Sequence, residues 1–542
     1  MLNTGTFPHD SADPPPAGPG RMCNTASAAP MPHIRARRRP VPGSAHPARA
    51  PHNVPMRAGL LPQPPSAAFC PLHRSSSCRS CPHQDLPLAD QLARKQARVA
   101  SVLARARVDG GAWLAPVASA PSRFRNKAKM VVCGTASAPV LGIPGPDGRG
   151  VDLRRCPLHL REIERALPVL ARTVARLRLQ PYDVAARRGE LKHVLVTASP
   201  DGDLMVRWVL RSDRHEAALR AELPRLREEL GTLAVMSVNL QPVHQAIIEG
   251  EEERILTDDS PDGDRLLMRL RLGDDGARRV DGTQRTNAGR GRRARRGRRG
   301  AERAEHGAAG TGHGAEGTER ARGDAWRYAE GTGCTGEGAG PARELPLLLP
   351  TRSFFQTNTA VAEALYTTAA AWAADLGEGA EVWDLFCGVG GFALALAGGG
   401  RRVLGVEVSA PAIAGARRAA ALVGLSAGQV RFEAGDARVL DPGRGAAPDL
   451  LVVNPPRRGI GAELAGRIEA SGVRRVLYSS CNPQSLARDL GAMPSLGARR
   501  ARLFDMFPHT DHAEVLVELV RRPARARVPL RGTGWNGGRG RS

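Results

Sequence analysis

The carboxyl-terminal half of the chain alternates short apolar runs with segments of helical periodicity. The runs EVWDL, RRVLGVEV, DLLVVN, RRVLYSS and AEVLVELV are four to eight residues long and end at polar or glycine positions, which is typical of buried strands. Apolar residues at helical spacing fill most of the stretches between them. This alternation predicts a Rossmann-like, doubly wound α/β domain over residues 343–522.

An earlier region has a different pattern. The segments KHVLVTAS, DLMVRWVLRS and LAVMSVNLQ are rich in β-branched residues and predict strands. Between them, apolar residues recur at helical spacing from Arg161 to Leu179 and from Glu216 to Leu230. We therefore expect a mixed α+β domain over residues 67–257.

The remaining segments lack either periodicity. Residues 1–66 are rich in Pro, Ala, Arg and Ser and predict a disordered extension. Residues 258–342 predict a low-complexity insertion, with seven arginines between Arg290 and Arg299. Residues 523–542 form a basic Gly/Arg tail.

Charge favours a polyanionic partner such as nucleic acid. The chain has 78 Lys and Arg against 54 Asp and Glu, a net charge of +24. Compositional bias in the tails and linkers is the competing explanation. There is no apolar run of membrane-spanning length and no signal-peptide pattern at the start, so we expect a cytoplasmic protein without a membrane partner. We also expect a monomer.

Nine cysteines without a secretory signal argue for metal or catalytic thiols rather than disulfides. Cys70, Cys78 and Cys81 follow the spacing C-x7-C-x2-C, and Cys156, flanked by proline and polar residues like Cys70, is the best candidate for a fourth ligand. The spacing does not match paired zinc knuckles. It favours an iron–sulfur cluster, while zinc and free thiols stay open as alternatives.

The glycine-rich turn of the second domain predicts a nucleotide-type ligand. A strand containing Asp384 leads into the pattern G-x-G-G, and the next strand ends at Glu407, 23 residues after Asp384. Glycines let the backbone approach a ligand, and an acid at the end of the second strand is placed for ribose hydroxyls. The pattern departs from the dinucleotide fingerprint G-x-G-x-x-G.

Cys481 lies where the run VLYSS ends, at the carboxyl end of a predicted strand. Open α/β sheets bind ligands at such strand ends. A thiol there is placed to act as a nucleophile. A lone cysteine is more often a small buried apolar residue. Residue types alone therefore leave both interpretations open.

Several motifs taken together point to a family. WDLFCGVGGF, VNPPRRGIG, YSSCNPQ and LFDMFPHTDHAEVL, with RNKAKMVV, GELKHVLVT, NLQPVHQAIIEGE and SFFQTN upstream, resemble the uracil-C5 RNA methyltransferases, in particular those that act on 23S ribosomal RNA. The resemblance covers residues 70–257 and 343–522 in order. The first 66 residues and the arginine-rich insertion have no counterpart in it.

The resemblance implies S-adenosylmethionine as the methyl donor, a [4Fe-4S] cluster and 23S ribosomal RNA as the partner. It implies Cys481 as the nucleophile and Glu514 as the base that removes the C5 proton. The remaining implied residues are Gln356, Phe386, Glu407 and Asn454 for the donor, and Cys70, Cys78, Cys81 and Cys156 for the cluster. By analogy with other methyltransferase folds Asp436 is placed near the adenine, although a simple loop acid is nearly as good an interpretation.

Three alternatives to this function remain at the level of sequence. Asn-Pro-Pro also occurs in amino-group methyltransferases, but there an aromatic residue usually follows, whereas Arg457 follows here. The same carbon chemistry could act on another 23S uridine or on the T-loop of transfer RNA. A non-catalytic RNA-binding protein is the alternative from a different class, and the intact nucleophile, base and glycine turn argue against it.

Overall fold

The computed structural model describes residues 69–105, 111–145, 150–244, 248–260, 262–273, 343–438 and 446–523. The predicted extension 1–66, most of the predicted insertion 258–342 with its arginine block, and residues 524–542 of the predicted tail lie outside these ranges. All described residues belong to one compact unit, Gln63–Ser542. No helix among them is both long and apolar enough to cross a membrane.

The helices and strands of the described ranges are numbered in chain order. The helices are α1 (Pro71–Arg74), α2 (Leu88–Arg105), α3 (Arg161–Arg176), α4 (Glu216–Leu230), α5 (Thr359–Trp372), α6 (Gly391–Leu396), α7 (Ala410–Leu422), α8 (Gly461–Ala470) and α9 (Pro483–Gly491). The strands are β1 (Ala112–Trp113), β2 (Lys127–Gly134), β3 (Pro139–Ile143), β4 (Val151–Asp152), β5 (Leu191–Ala198), β6 (Leu204–Leu210), β7 (Leu233–Leu240), β8 (Glu252–Ile255), β9 (Arg265–Leu272), β10 (Arg343–Pro350), β11 (Glu381–Leu385), β12 (Arg402–Glu407), β13 (Val430–Ala434), β14 (Leu450–Val453), β15 (Arg475–Ser480), β16 (Leu496–Phe504) and β17 (Glu514–Arg521).

The second domain is a doubly wound sheet, as its alternating pattern predicts. Its eight strands run in the order β1-β16-β17-β15-β14-β11-β12-β13. Strands β11 to β15 pair in parallel, and β17 runs antiparallel between β15 and β16. From β11 the chain continues to β12 on one side, whereas β14 lies on the other. Such a reversal of strand order opens a crevice beyond the carboxyl ends of the strands.

Continuous apolar runs form the central strands because both faces of the sheet are covered by other elements. In β14, Leu450 and Val452 belong to one hydrophobic core and Leu451 and Val453 to a second core on the opposite face. All four side chains are fully buried. A short uninterrupted apolar run in this chain therefore corresponds to a strand packed on both sides.

The first domain is a seven-stranded sheet in the order β4-β3-β2-β5-β6-β7-β8, with the apolar faces of α3 and α4 in its core. Helix α4 covers the predicted range Glu216–Leu230. Helix α3 ends at Arg176, three residues before the predicted end at Leu179. Arg178 has a left-handed φ of 51°, which a continuing helix does not allow.

The predicted insertion 258–342 begins too early. Residues Arg265–Leu272 form β9, which pairs antiparallel with β10 from Arg343↔Leu272 to Pro350↔Arg265. Leu266, Met268 and Leu270 are buried in the core shared with the second domain. The segment RLLMRLRL alternates apolar and basic residues, a strand pattern that the surrounding charge obscured.

Some residues predicted to belong to the first domain pack in the second domain instead. Strand β1 pairs in parallel with β16 at the edge of the eight-stranded sheet. Val99 and Leu103 of α2 are buried in the same core as β14 and β15. Residues near the amino-terminal end of the predicted first domain are thus part of the second domain, because their apolar side chains are buried in its core.

Candidate active site

The crevice beyond the strand ends is a cavity of about 640 Å³. It brings together all six side chains for which the resemblance implied a role in catalysis or donor binding. They are Gln356, Phe386, Glu407, Asn454, Cys481 and Glu514, and Asp436 lines the same cavity.

Cys481 is the first residue after β15, and its position is fixed by the start of the next helix. Asn482 caps α9, with its side chain accepting from Gln484 N at 3.1 Å. Ser480 Oγ accepts a hydrogen bond from Asn482 N, also at 3.1 Å. The half-buried sulfur therefore sits on a rigid strand-to-helix turn and faces the cavity.

Two charged neighbours act on the Cys481 thiol in opposite directions. Burial raises the pKa of Cys481, the Glu514 charge raises it further, and the charge and hydrogen bond of Arg457 lower it. Asn482 Nδ2 donates to the Arg457 carbonyl at 2.9 Å, which ties the Asn-Pro-Pro-Arg turn to the residue after the nucleophile. Because the thiolate is the nucleophilic form, Arg457 is the cation that favours it.

Glu514 is the first residue of β17 and is 2% exposed. It pairs with Phe504 across the β16–β17 ladder and accepts a hydrogen bond from Ser479 Oγ at 2.5 Å. Burial raises the pKa of Glu514 to about 7, although the Ser479 hydrogen bond opposes that rise. A carboxyl group with a pKa near neutrality can take up a proton and release it again, as a general base requires.

Phe386 and Glu407 also line the cavity. Phe386 follows β11 with a left-handed φ of 65°, a strained conformation of the kind that clusters at functional sites. Glu407 ends β12 and accepts hydrogen bonds from Gly388 N at 3.3 Å and Ser409 N at 3.0 Å. These bonds hold the carboxylate at the strand end beside the glycine turn.

Two glycines of the G-x-G-G turn, Gly390 and Gly391, are required by close packing. Gly390 has a φ of +87°, and a Cβ there would lie 2.9 Å from the Phe432 ring. A Cβ on Gly391 would lie 2.5 Å from Tyr366 Oη. Packing against these two rings therefore excludes a side chain at either position.

Asp384, the acid of β11, lies beneath this turn and does not line the cavity. Its Oδ2 accepts from Ala393 N at 2.9 Å, while Oδ1 has no partner. Burial raises the pKa of Asp384 to about 8, and the Glu407 charge adds to the rise. Its visible role is to bind the first turn of α6.

Gln356 is held by the first domain. Asn126, which is 1% exposed, donates through Nδ2 to the Gln356 carbonyl at 3.0 Å and to Thr359 Oγ1 at 2.9 Å. Asn126 N also donates to the Thr357 carbonyl at 2.9 Å. These bonds fix the backbone on which the Gln356 side chain is carried.

The turn that follows Asn454 is fastened to α9 by Asp489. Asp489 Oδ2 accepts from Ile460 N at 2.8 Å and from Tyr478 Oη at 2.7 Å. A Cβ at Gly459, where φ is +83°, would lie only 2.2 Å from the same carboxylate oxygen. The acid therefore fixes the far end of the loop that presents Arg457.

Several lining residues were not assigned a role from sequence. Phe354 is 71% exposed although it is a large apolar side chain at the cavity. Phe507 and the exposed Arg352 and Arg458 also line it. Phe354 and Phe507 fall within motifs that carried the resemblance, so the signal was present but did not specify what the rings contact.

Asp436 is bound to its neighbour. Its carboxylate accepts from Arg438 Nη2 at 2.6 Å, and the Arg438 hydrogen bonds lower the pKa of Asp436 to about 2. It is thus ionised at the cavity edge. Whether it binds adenine or is a simple loop acid stays open.

The four predicted cluster ligands lie close enough to influence one another. Burial raises the pKa of Cys81 to about 12, and the neighbouring thiols of Cys156, Cys78 and Cys70 add to that rise. The charge of Arg125 opposes the rise for both Cys81 and Cys156. No group of three or more His, Cys, Asp or Glu side chains within the described residues is arranged to hold a metal ion.

The chain is similar to known proteins in both sequence and fold. Residues 342–430 and 447–522 match the model of the tRNA (uracil-5-)-methyltransferase family. The chain is 43% identical over 457 residues to the 23S rRNA (uracil(747)-C(5))-methyltransferase RlmC of Halothiobacillus neapolitanus, covering 83% of this chain and 99% of that protein. It is 39% identical to the Shewanella amazonensis protein of the same name, covering 84% and 98%.

Among solved structures, the Pyrococcus abyssi tRNA (uracil-54, C5)-methyltransferase in complex with S-adenosyl-L-homocysteine superposes with a TM-score of 0.55. The match has 19% sequence identity and covers 81% of this chain and 85% of that one. At this identity the likeness shows the fold alone.

The doubly wound sheet with a cavity at its switch point defines the class, an S-adenosylmethionine-dependent methyltransferase fold. Within that class the chain belongs to the uracil-C5 RNA methyltransferase family, since relatives about 40% identical match it over nearly their whole length. The resemblance seen in the sequence is thereby confirmed. The roles of individual site residues, the oligomeric state and the cellular location stay predictions.

Proposed function

We propose that this protein methylates C5 of a uridine in 23S ribosomal RNA, at the position numbered 747 in the names of its relatives. The observation that carries the proposal is the meeting of Cys481 and Glu514 in one cavity with the four residues predicted to bind the donor. A thiol and a buried carboxyl group at the same strand ends provide both covalent addition and proton removal.

Uracil C5 is too weakly nucleophilic to be methylated unaided. The Cys481 thiolate adds to C6, and the electron pair of the C5–C6 double bond moves toward C4 to give an enolate with carbanion character at C5. Arg457, whose charge favours the thiolate, lies beside the sulfur for this step. S-Adenosylmethionine, when bound, supplies the electrophilic methyl group that C5 takes up.

Glu514 completes the reaction by removing the remaining proton from C5. The C5–H electrons re-form the C5–C6 double bond, and the bond between C6 and the Cys481 sulfur breaks. The products are 5-methyluridine, the free thiolate and a protonated Glu514. The Ser479 hydroxyl holds the carboxylate in place for this transfer at 2.5 Å.

The residues that line the cavity with Cys481 also fit the methyl donor. Glu407 is fixed at the end of β12 by two backbone N–H groups and is placed for ribose hydroxyls. The glycine turn allows close approach of the backbone, and Phe386 offers a ring face beside it. Gln356 and Asn454 add amide groups that can donate and accept hydrogen bonds.

The rim of the cavity fits a flipped nucleotide. An enzyme that attacks a base from both faces must take it out of its stack, and an exposed aromatic ring can support the extruded base. Phe354 is such a ring. Arg352, Arg457 and Arg458 line the same cavity, and their exposed, positively charged side chains suit RNA phosphates.

We also propose that Cys70, Cys78, Cys81 and Cys156 hold a [4Fe-4S] cluster. The support is the set of four cysteines, in which the other three thiols raise the pKa of Cys81 and the Arg125 charge lowers the pKa of Cys81 and Cys156, although the described side chains are not arranged as a metal site. An all-thiolate set of four is the usual ligand set of such a cluster. Protein prepared anaerobically should contain iron and acid-labile sulfide, and stoichiometric zinc without sulfide would contradict this.

The substrate is tested by transfer of labelled methyl groups from S-adenosylmethionine to separate 23S fragments and to unmodified transfer RNA. We expect label in the fragment that contains uridine 747. Preferential labelling of the transfer RNA T-loop would overturn the substrate while leaving the chemistry. A catalytically silent protein that binds RNA would support the non-enzymatic alternative.

A further inference from the structure

The β16–β17 loop (residues 505–513) carries one wall of the cavity. It connects Phe504, the last residue of β16, with Glu514, and its residue Phe507 lines the cavity. Most of the side chains that hold this loop come from the cysteine segment, which we define as residues 69–105. The two segments are separated by about four hundred positions in sequence, as in the pair Lys95 and Asp505, 410 residues apart.

Lys95 makes the central contact between them. Its Nζ donates to Asp505 Oδ1 at 2.6 Å and to the Phe507 carbonyl at 2.8 Å. The side chains of Lys95 and Asp505 are 3% and 2% exposed. An ion pair this deeply buried loses much of its Coulomb energy to desolvation, so it is weak evidence for a role in stability alone.

A second set of bonds fixes the loop around His509. Gln91 Oε1 accepts from His509 N at 2.7 Å, and His83 N donates to the His509 carbonyl at 3.1 Å. His509 itself has a left-handed φ of 65°. Such a conformation persists in a non-glycine residue only where the surroundings impose it, and here the surroundings include the cysteine segment.

Glu514, which follows the loop, and Phe507 within it are thus held by different means. Glu514 is held within the sheet by Phe504 and Ser479. Phe507 lies outside the strands, and its carbonyl is bonded to Lys95. The lysine therefore controls the position of the cavity-lining Phe507 ring more than it controls Glu514.

We propose that Lys95 is a positioning residue of the active cavity, which holds Asp505 and the Phe507 carbonyl so that the Phe507 ring packs against the uracil. The inference rests on the proposed function and names a further residue that acts through another. Displacement of a substrate-positioning group by about 1 Å can cost about a hundredfold in rate, so the loss should appear in turnover.

The test compares three variants of the full-length protein. Lys95→Met removes the ammonium and leaves Asp505 buried without a partner. Lys95→Met/Asp505→Leu removes both charges, which often restores the stability lost by breaking a buried pair. Leu103→Ala is the matched control, because Leu103 is buried on the same helix and belongs to the core on the β14–β15 side.

Thermal midpoints and steady-state kinetics on the 23S fragment are measured for each, at a temperature well below every midpoint. We expect Lys95→Met to lower both the midpoint and kcat, with kcat reduced about tenfold or more. In the double variant the midpoint should recover while kcat stays low, since the Phe507 carbonyl still lacks its donor. Leu103→Ala should lower the midpoint with kcat within about threefold of wild type.

Recovery of kcat together with the midpoint in the double variant would show that the pair is only structural and would overturn the inference. A kcat reduced equally by Leu103→Ala would do the same. An inactive wild type on every RNA would instead overturn the proposed function, so the two failures are distinguishable.

Discussion

The two walls of the cavity are built in different ways. On the donor side, Phe386, Glu407 and Asn454 stand at or just after the carboxyl ends of β11, β12 and β14, so the sheet itself sets their positions. On the side of the base, Cys481 shares that arrangement. Phe507, however, lies in a loop whose backbone is bonded to a helix 412 residues earlier in sequence.

The difference shows which parts of a site a local pattern can define. Phe386, Glu407 and Asn454 on the donor wall need only neighbouring strands, a glycine turn and backbone hydrogen bonds such as Gly388 N to Glu407. The backbone of Gln356 is also held by Asn126 of the first domain. The base wall needs the cysteine segment to be folded against it. We therefore expect changes in that segment to affect turnover on RNA more than affinity for the donor.

The largest effect expected on the base side is that of Cys481→Ala. Methylation should fall by more than a hundredfold, because Cys387, the other thiol among the described residues that line the cavity, is buried and burial raises its pKa well above the ordinary value. Donor affinity should change little, as the sulfur supplies the covalent step. Methyl-transfer assays and calorimetric titration with S-adenosylmethionine measure the two quantities. Cys133→Ala on β2, away from the cavity lining, is the control, and residual turnover of the Cys481 variant above about 1% of wild type would contradict the assignment.

Glu514→Gln should stop the reaction at a later point. Addition and methyl uptake can still occur, but the C5 proton has no acceptor, so elimination stalls. A methylated protein–RNA adduct should accumulate on denaturing gels. Normal turnover with no adduct would make the carboxylate a bystander.

The pH dependence sharpens the same assignment. Glu514 must be ionised to accept the proton, and its pKa is about 7, so elimination should slow about tenfold per unit as the pH falls below 7. The Ser479 hydrogen bond lowers the pKa of Glu514. Ser479→Ala should therefore move the inflection of the single-turnover profile to higher pH. An unchanged inflection would mean that another group titrates.

The smallest effect is expected on the donor side, from Asn126→Ala. The variant removes the hydrogen bonds to the Gln356 carbonyl and Thr359 Oγ1, at a cost of about 1–3 kcal/mol for buried partners left unpaired. The Kd for S-adenosylmethionine should rise about tenfold, with kcat at saturating donor nearly unchanged. Calorimetric titration provides the Kd. A fall in kcat at unchanged Kd would show that Asn126 supports turnover on the RNA and not donor binding.

These contrasts also explain how far sequence reasoning reached. The strands of the catalytic sheet were predictable because runs such as LLVV are buried on both faces. The site residues were implied by the family resemblance, and in the structure Phe386, Asn454 and Cys481 each directly follow a strand. Strand β9 was missed because its partner β10 lies beyond an arginine-rich stretch that dominated the local composition. The contact between Lys95 and Asp505 has no local signal at all, since a lysine on a helix is usually solvated.

The most direct test of the account uses a 23S fragment with 5-fluorouridine at the target position. Fluorine at C5 cannot be removed as a proton, so the intermediate that follows methyl uptake should persist as a covalent protein–RNA adduct. We predict that the adduct forms only in the presence of S-adenosylmethionine and that peptide mapping by mass spectrometry places it on Cys481. Attachment at any other residue, or release of methylated RNA without a trapped intermediate, would contradict the account.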